Sequence, residues 1–126
     1  MLKILLMLSS TLLIISCNVY TSNNKTQSIK ADVVGVYIKK GDTQCNDDGL
    51  TLAEATRYLT DEDIDVAKSN CGVFTGVSVI SMCGADTNNI YYFSINKTAL
   101  AQAEGLGFIS VSSLGSELGY EAAKCQ

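Results

Sequence analysis

Apolar and polar side chains alternate in two stretches of the chain, with the period of two that is typical of a half-buried strand. The first stretch is DVVGVYIKK, residues 32–40, and the second is IYYFSI, residues 90–95. In the second stretch, Tyr91 and Phe93 are predicted to point to one face and Tyr92 to the other. Tyr92 is therefore the best candidate in this strand for an exposed aromatic side chain.

Two other stretches carry the spacing and the capping residues of helices. In TLAEATRYL, residues 51–59, apolar side chains at helical spacing share one face. Thr51 can accept a hydrogen bond from the backbone of Glu54, whose side chain can reach back, and this reciprocal pair is a capping box. A second helix is predicted for NKTALAQAEG, residues 96–105, with Asn96 as its N-cap.

The remaining segments carry weaker patterns. VSVISMC (residues 77–83) and FISVS (residues 108–112) are rich in β-branched side chains and predict strands, whereas NCGVFTG (residues 70–76) predicts a turn. IDVAKS (residues 64–69) fits either a short strand or a helical turn, and we favour the strand. The tail SELGYEAAKC (residues 116–125) predicts one or two helical turns.

This order of elements, β-α-β-β-β-α-β, predicts an α+β domain in which a small antiparallel sheet carries both helices on one face. If the ambiguous segment IDVAKS is left out, the order becomes β-α-β-β-α-β, which is the ferredoxin-like order. We therefore expect residues 31–126 to form a single domain of a ferredoxin-like variant, with a limited hydrophobic core because the domain is small.

The chain opens with MLKILLMLSSTLLIISC, in which Lys3 precedes an apolar run shorter than the roughly 20 residues that a membrane-spanning helix needs. The run ends in Ile14-Ile15-Ser16-Cys17, and this ending resembles the lipobox of bacterial lipoproteins. The resemblance covers residues 1–17. It implies that residues 1–16 are a cleaved signal peptide and that Cys17 carries the lipid. The alternative is an ordinary secretory signal with a chance cysteine.

Residues 17–30 are polar and rich in Asn, Ser and Thr, which indicates a flexible tether between a lipid on Cys17 and the domain. Two or more acyl chains hold a protein firmly at a membrane, so the resemblance implies a lipid anchor in the bacterial cell envelope. Asn18 stands where an Asp retains the lipoproteins of enteric bacteria at the inner membrane. We therefore expect the outer membrane, facing the periplasm, rather than the inner membrane.

The chain has 5 cysteines, so four remain for the domain once Cys17 is assigned to the lipid. An even number of cysteines in a small exported domain predicts disulfides, here two. If the first helix joins two parallel strands, the end of the first strand and the end of IDVAKS lie at the same edge of the sheet, and the next strand returns to the opposite edge. This argument predicts the pairs Cys45–Cys71 and Cys83–Cys125.

A metal site or a thioredoxin-like role for the cysteines is excluded, because the sequence has no CxxC pair and no histidine.

Acidic side chains outnumber basic ones, 13 to 9, and loss of Lys3 with the signal peptide leaves 13 against 8, a balance of −5. This sign disfavours nucleic acid as a partner and suits a basic protein. Two groups of acids stand out. They are Asp61, Glu62, Asp63 and Asp65, and Asp42, Asp47 and Asp48. Solvated loops are the ordinary explanation for such groups, and the alternative is that the first group, together with Tyr92, contacts a partner.

Without histidine, catalytic sites of the Ser-His-Asp or Cys-His kind are excluded. We predict no catalytic residue, no cofactor and no metal site. The expected function is that of a non-enzymatic envelope lipoprotein that binds a macromolecular partner, as an assembly factor, an inhibitor or an exclusion protein. YYF at residues 91–93 and Tyr120 can supply an aromatic binding patch. The alternative is a small periplasmic hydrolase that uses carboxylates, although so small a domain has little volume for the cleft.

Overall fold

The structure is a computed structural model that describes residues 32–46 and 48–125 of the chain. The described residues form one sheet of five strands, two helices and two short 3₁₀ turns. In chain order these are β1 (Val33–Lys39), α1 (Leu52–Thr60), β2 (Val66–Thr75), β3 (Asn89–Asn96), a 3₁₀ turn (Lys97–Ala99), α2 (Leu100–Gly105), β4 (Ile109–Ser110), a 3₁₀ turn (Val111–Ser113) and β5 (Gly119–Ala123). Within this described part, neither helix is long and apolar enough to cross a membrane.

The strand order in the sheet is β4-β1-β3-β2-β5. Every neighbouring pair is antiparallel, so β1 and β2, which flank β3, run in the same direction and are joined through α1. The first four strands in this order reproduce the ferredoxin-like connectivity, and β5 adds a fifth strand beside β2. The predicted α+β fold with a small antiparallel sheet and two helices is confirmed.

Both helices contribute to a single core on one face of the sheet. Ala55 and Leu59 of α1 and Ala103 of α2 belong to the same buried cluster as Phe93 of β3 and Phe108. The rings of Phe93 and Phe108 meet edge to face, with their centroids 5.5 Å apart. The apolar positions of the predicted helices and strands therefore face one another across this core, as their spacing requires.

The boundaries of α1 follow its capping chemistry. Thr51 Oγ1 accepts a hydrogen bond from Glu54 N at 3.2 Å, and a carboxylate oxygen of Glu54 accepts one from Thr51 N at 2.8 Å, so the predicted capping box is confirmed. After the last turn, Asp63 adopts a φ of 57°, the left-handed conformation that often follows a helix and that Asp tolerates better than most residues. The acids that follow α1 thus include one that helps to terminate the helix.

Four predictions for the remaining segments are wrong, at least in part. Residues 70–76, predicted as a turn, continue β2 to Thr75, and residues 77–83, predicted as a strand, form a loop. The tail, residues 116–125, contains β5 instead of helical turns, and residues 108–112 contribute a strand of only two residues. Whether a segment becomes a strand depends on whether another strand is available to pair with it, and the local alternation of apolar and polar residues does not show this. The preference for a strand in IDVAKS is correct from Val66 onward.

Two disulfides are present, but the predicted pairing of Cys45 with Cys71 and of Cys83 with Cys125 is wrong. The structure has Cys45–Cys83 and Cys71–Cys125. The premise that β1 and β2 run in the same direction is correct. The error lies in the segment after β2, because no returning strand carries Cys83 away from Cys45. Cys71 lies inside β2, opposite Ala123 of β5, and this register brings it to Cys125.

Candidate functional site

The face of the sheet that points away from the helices carries an aromatic side chain from each of four strands. They are Tyr37 on β1, Phe74 on β2, Tyr92 on β3 and Tyr120 on β5, and we call them the aromatic face. The rings of Tyr37 and Phe74 meet edge to face at a centroid distance of 4.9 Å, and those of Tyr92 and Tyr120 stack at 5.0 Å. Tyr37 is paired with Tyr92, and Phe74 with Tyr120, across neighbouring strands, so the four rings form one continuous aromatic layer. Tyr37 is buried in this layer, at 6% exposed, and the other three side chains are half-buried.

Two glycines make room for this surface. A Cβ atom on Gly35 would lie 2.8 Å from Cε2 of Tyr92, and one on Gly72 would lie 2.8 Å from the carbonyl oxygen of Glu121. Both distances are shorter than side-chain carbons tolerate. Gly35 therefore lets the Tyr92 ring lie over β1, and Gly72 lets β5 pair closely with β2, which positions Tyr120.

The hydroxyls of Tyr37 and Tyr120 on the aromatic face remain protonated at neutral pH. Burial raises the pKa of Tyr37 above its ordinary value. Burial also raises the pKa of Tyr120, and the neighbouring Tyr92 raises it further. Ser94 Oγ donates a hydrogen bond to the Tyr92 hydroxyl at 3.2 Å. The aromatic face thus combines half-buried aromatic rings with tyrosine hydroxyls, and this combination is common in protein interfaces.

Residues 77–82 run beside the aromatic face and expose apolar side chains, and we call this segment the apolar loop. Ile80 is 71% exposed and Met82 is 60% exposed. Val77 and Val79 line a cleft of about 340 Å³ between the loop and the sheet. The rest of the cleft is lined by the apolar Tyr37, Phe74, Leu114 and Leu118 and by the polar Lys39, Asp86, Thr87 and Asn88.

The apolar loop is fastened at its C-terminal end to the loop that follows β1. The Cys45–Cys83 disulfide joins the two loops covalently. Gly84 N donates a hydrogen bond to the carbonyl oxygen of Gln44 at 3.0 Å, and the Gln44 side-chain amide donates to the carbonyl oxygen of Ile80. The position of the loop over the sheet is therefore set by the fold.

Asp42 fixes the loop after β1 to the start of β3. Its carboxylate accepts hydrogen bonds from Thr87 Oγ1 and, at 2.8 Å, from Asn89 Nδ2, and it forms a salt bridge of 3.1 Å with Lys40. Burial by itself would raise the pKa of Asp42, but the hydrogen bonds from Thr87, Asn89 and Lys40 outweigh burial and lower the pKa. Asp42 is therefore charged at neutral pH, and it holds Thr87, which lines the cleft.

Asp48 belongs to the same loop and has a separate partner. It accepts hydrogen bonds from Thr43 N at 2.6 Å and from Thr43 Oγ1 at 2.9 Å, and these bonds lower the pKa of Asp48. A general acid at neutral pH needs a raised pKa, so neither Asp42 nor Asp48 suits that role in a carboxylate hydrolase. Asp47 lies outside the described residues. Within the described ranges, no cluster of acids and cysteines could hold a metal ion.

The residues predicted to contact a partner do not share one surface. Asp61, Glu62 and Asp63 form the exposed turn after α1, and Asp65 follows it. This acidic turn lies in the helix layer, where Gln102 of α2 donates a hydrogen bond to the carbonyl oxygen of Glu62 at 2.8 Å. Tyr92 lies on the opposite face of the sheet, and it is half-buried rather than fully exposed. The structure thus places Tyr92 beside Tyr120, two residues of the aromatic patch that the sequence suggested. It separates Tyr92 from the four acids.

Tyr37, Phe74 and the apolar loop were not predicted from the sequence as members of a candidate site. A signal for the loop was present, because VSVIS is a run of β-branched residues and serines that predicted a strand. The sequence did not show that this strand-like segment finds no partner in the sheet. Tyr37 and Phe74 come together only through the pairing of β1 and β2 with β3, which joins residues far apart in the chain.

The predicted signal peptide, the lipidation site Cys17 and the tether lie outside the described residues. No protein-family model matches the chain, and no curated protein or solved structure matches it at a significant level. The candidate site therefore rests on its own geometry, which is a rigid aromatic face, an adjoining cleft and an exposed apolar loop.

Proposed function

We propose that this protein is a non-enzymatic, lipid-anchored protein of the bacterial cell envelope that binds a protein partner through the aromatic face and the apolar loop. The observation that carries the proposal is the exposure of four apolar side chains beside the cleft. Val77, Val79, Ile80 and Met82 are between 43% and 71% exposed. A contiguous group of exposed apolar side chains, next to aromatic rings and a cleft, is typical of a protein interaction site.

This surface replaces the acidic turn as the proposed contact region. The acids of the turn are exposed to solvent, and they lie on the other side of the sheet from the aromatic residues. Charged groups that remain in water contribute little to affinity but increase the association rate with an oppositely charged partner. In this proposal the acidic turn attracts a basic partner at long range, and the aromatic face and apolar loop form the contact.

Two observations support a location in the cell envelope. The first is the lipobox-like ending at Cys17, which follows an apolar run and precedes a polar tether. The second is the presence of two disulfides in a small domain, which fits an oxidising compartment such as the periplasm. In this proposal, a polar segment of about a dozen residues separates the anchor from the domain and lets it present either face to a partner.

The binding proposal is tested by photo-crosslinking of the full-length protein in the envelope of a bacterial host. The crosslinking amino acid p-benzoylphenylalanine is placed singly at Ile80 in the apolar loop, at Tyr58 beside the acidic turn, and at Ala101 on the exposed side of α2. We expect Ile80 to give a discrete adduct with another protein, identifiable by mass spectrometry, and Ala101 to give none. If none of the three positions yields such an adduct, the binding function is wrong. An adduct from Tyr58 but not from Ile80 would keep the function and move the contact to the helix layer.

Lipidation of Cys17 is a separate prediction. Mass spectrometry of the protein extracted from membranes should show a chain that begins at Cys17 and carries acyl groups, because the resemblance to the lipobox implies cleavage before this residue. A Cys17→Ser variant should leave the membrane fraction, since it loses the acyl chains that provide the anchor. The double variant Cys45→Ser with Cys83→Ser serves as the control, because it also replaces cysteine by serine but leaves no unpaired thiol in the domain and keeps the proposed anchor intact. Recovery of Cys17→Ser in the same membrane fraction as the wild type would contradict the prediction.

A further inference from the structure

The backbone of the apolar loop is available for pairing. No backbone N–H of residues 77–81 donates a hydrogen bond within the described part of the chain. Among their carbonyl groups, that of Ile80 accepts bonds from Met82 N and from the Gln44 side chain. Residues 77–80 contain no turn or bend, and the bond from Met82 N to the Ile80 carbonyl closes a tight turn at Ser81, the last of the five positions. Residues 77–81 are therefore a largely β-branched segment, extended as far as Ile80, that lacks a neighbouring strand in the described part of the chain.

We propose that residues 77–81 accept a β-strand from a basic, extended segment of the partner protein. This inference rests on the function proposed above and specifies the chemistry of the partner. In strand addition, backbone hydrogen bonds supply affinity and pockets for alternate side chains supply specificity. The apolar loop provides the unpaired backbone groups, and the adjoining cleft provides a pocket.

The cleft indicates which side chains the added strand presents. Its volume of about 340 Å³ and its lining by Tyr37 and Phe74 suit aliphatic side chains rather than charged ones. Asp86 and Lys39 are both exposed and line the same cleft, and the Asp86 carboxylate can pair with a Lys or Arg at an outward position of the added strand. The matching strand alternates aliphatic and basic residues, because successive side chains of a strand point to opposite faces.

The charge of the domain favours such a partner over a second copy of this chain. Residues 31–126 include 13 acidic and 6 basic side chains, a balance of −7. Two copies would repel each other at long range, and an anionic membrane surface would repel the domain as well. A basic segment would be attracted instead, with a faster association that weakens as salt screens the charges.

The test uses the full-length protein in detergent and a fluorescein-labelled peptide, Lys-Val-Lys-Val-Lys-Ile-Lys, with fluorescence anisotropy as the readout. We expect binding that weakens with added salt. Two control peptides separate charge from strand pairing. In one, every lysine is replaced by glutamate, and in the other the central valine is replaced by proline, which removes a backbone donor and disrupts an added strand. Both control peptides are expected to bind much more weakly than the parent peptide.

Two protein variants locate the binding site. Ile80→Lys is expected to weaken binding of the parent peptide roughly tenfold, the factor that corresponds to the loss of one well-packed aliphatic contact. Ala101→Lys makes the same change in net charge on the helix layer, where Ala101 is exposed, and is expected to have a much smaller effect. The difference between the two variants therefore measures the contribution of the apolar loop beyond overall charge.

Each contrary result overturns a defined part of the inference. Absence of parent-peptide binding, or equal binding of the proline peptide, would exclude strand addition. Equal weakening by Ile80→Lys and Ala101→Lys would show that only overall charge matters. Light scattering that shows a dimer of the wild type, lost in Ile80→Lys, would assign the loop to a second copy of the chain. These outcomes are distinct from failure of the proposed function, since a crosslinked partner at Tyr58 would keep that function without strand addition.

Discussion

Replacement of both Cys71 and Cys125 by serine is expected to lower the free energy of unfolding by about 4 kcal/mol. The disulfide spans 54 residues of sequence, and the loss of loop-closure entropy in the unfolded chain gives an effect of that order. A small domain has a total stability of about 5–10 kcal/mol, so this variant loses a large share of it. Urea denaturation followed by far-ultraviolet circular dichroism measures the change.

The same replacement should also have a local effect, because Cys125 holds the chain just after β5 to β2. β5 is an edge strand that pairs with β2 alone and carries Tyr120. Without the disulfide, β5 is expected to fray, and the stacking of Tyr120 on Tyr92 should weaken in the near-ultraviolet circular dichroism of the tyrosines. The variant Cys45→Ser with Cys83→Ser is the matched control, since its disulfide spans 38 residues and lies away from β5. Equal loss of the tyrosine signal in both variants would show that Cys71–Cys125 does not hold β5.

The elements that could be predicted from sequence are those whose own residues contain the pattern, either strand alternation or a helix cap. The strand β1 and the strand β3 alternate over most of their length, and each ended where the pattern placed it to within about two residues. The helix α1 begins at a capping box formed by Thr51 and Glu54, which lie three residues apart. Local chemistry of this kind needs no knowledge of the rest of the fold, so these predictions were correct.

The elements that could not be predicted depend on distant partners. Gly72 suggested a turn, since glycine is rare within strands, but its lack of a side chain permits the close approach of Glu121 from β5. Residues 77–81 have the composition of a strand, yet β2 already has β3 and β5 as neighbours. The pairing of β2 with β5 brings Cys71 to Cys125, and the absence of a strand after β2 leaves Cys83 near Cys45. The wrong prediction of strand pairing therefore gave the wrong prediction of cysteine pairing.

The candidate site also has one part that local sequence patterns predict and another part that depends on distant strand pairing. The sequence suggests an aromatic patch of YYF, residues 91–93, and Tyr120, and strand alternation in β3 selects Tyr92 as the member that faces away from the core. The full surface needed the register of the sheet, which places Tyr37 beside Tyr92 and Phe74 beside Tyr120. The acidic turn is conspicuous in sequence and has no comparable packing around it, so the most visible charge cluster is not the best structural candidate for the contact.

Asp42→Ala is expected to lower the free energy of unfolding by about 3 kcal/mol, since loss of one member of a buried ion pair and its hydrogen bonds is strongly destabilising. Asp42 is only 5% exposed, and Lys40, Thr87 and Asn89 lose the acceptor that they share. Asp48→Ala is the control in the same loop, because Asp48 is exposed, and it should destabilise less. Thermal and urea unfolding at neutral pH measure both variants. An equal effect of the two substitutions would mean that the buried network around Asp42 contributes nothing beyond an exposed loop contact.

The pH dependence gives a second test of this network. The pKa of Asp42 is lower in the folded protein than in the unfolded chain, where it is near the ordinary value of about 4. The folded state therefore holds the carboxylate more strongly, so this stabilisation is fully present above pH about 4 and is lost as the pH falls through the lower, folded pKa. Asp42→Asn should remove that part of the acid sensitivity, while Asp48 and Glu54, whose pKa values are also lowered, keep theirs. A stability profile of Asp42→Asn that falls as steeply in acid as the wild-type profile would show that Asp42 is not the group whose protonation weakens the attachment of the loop to β3.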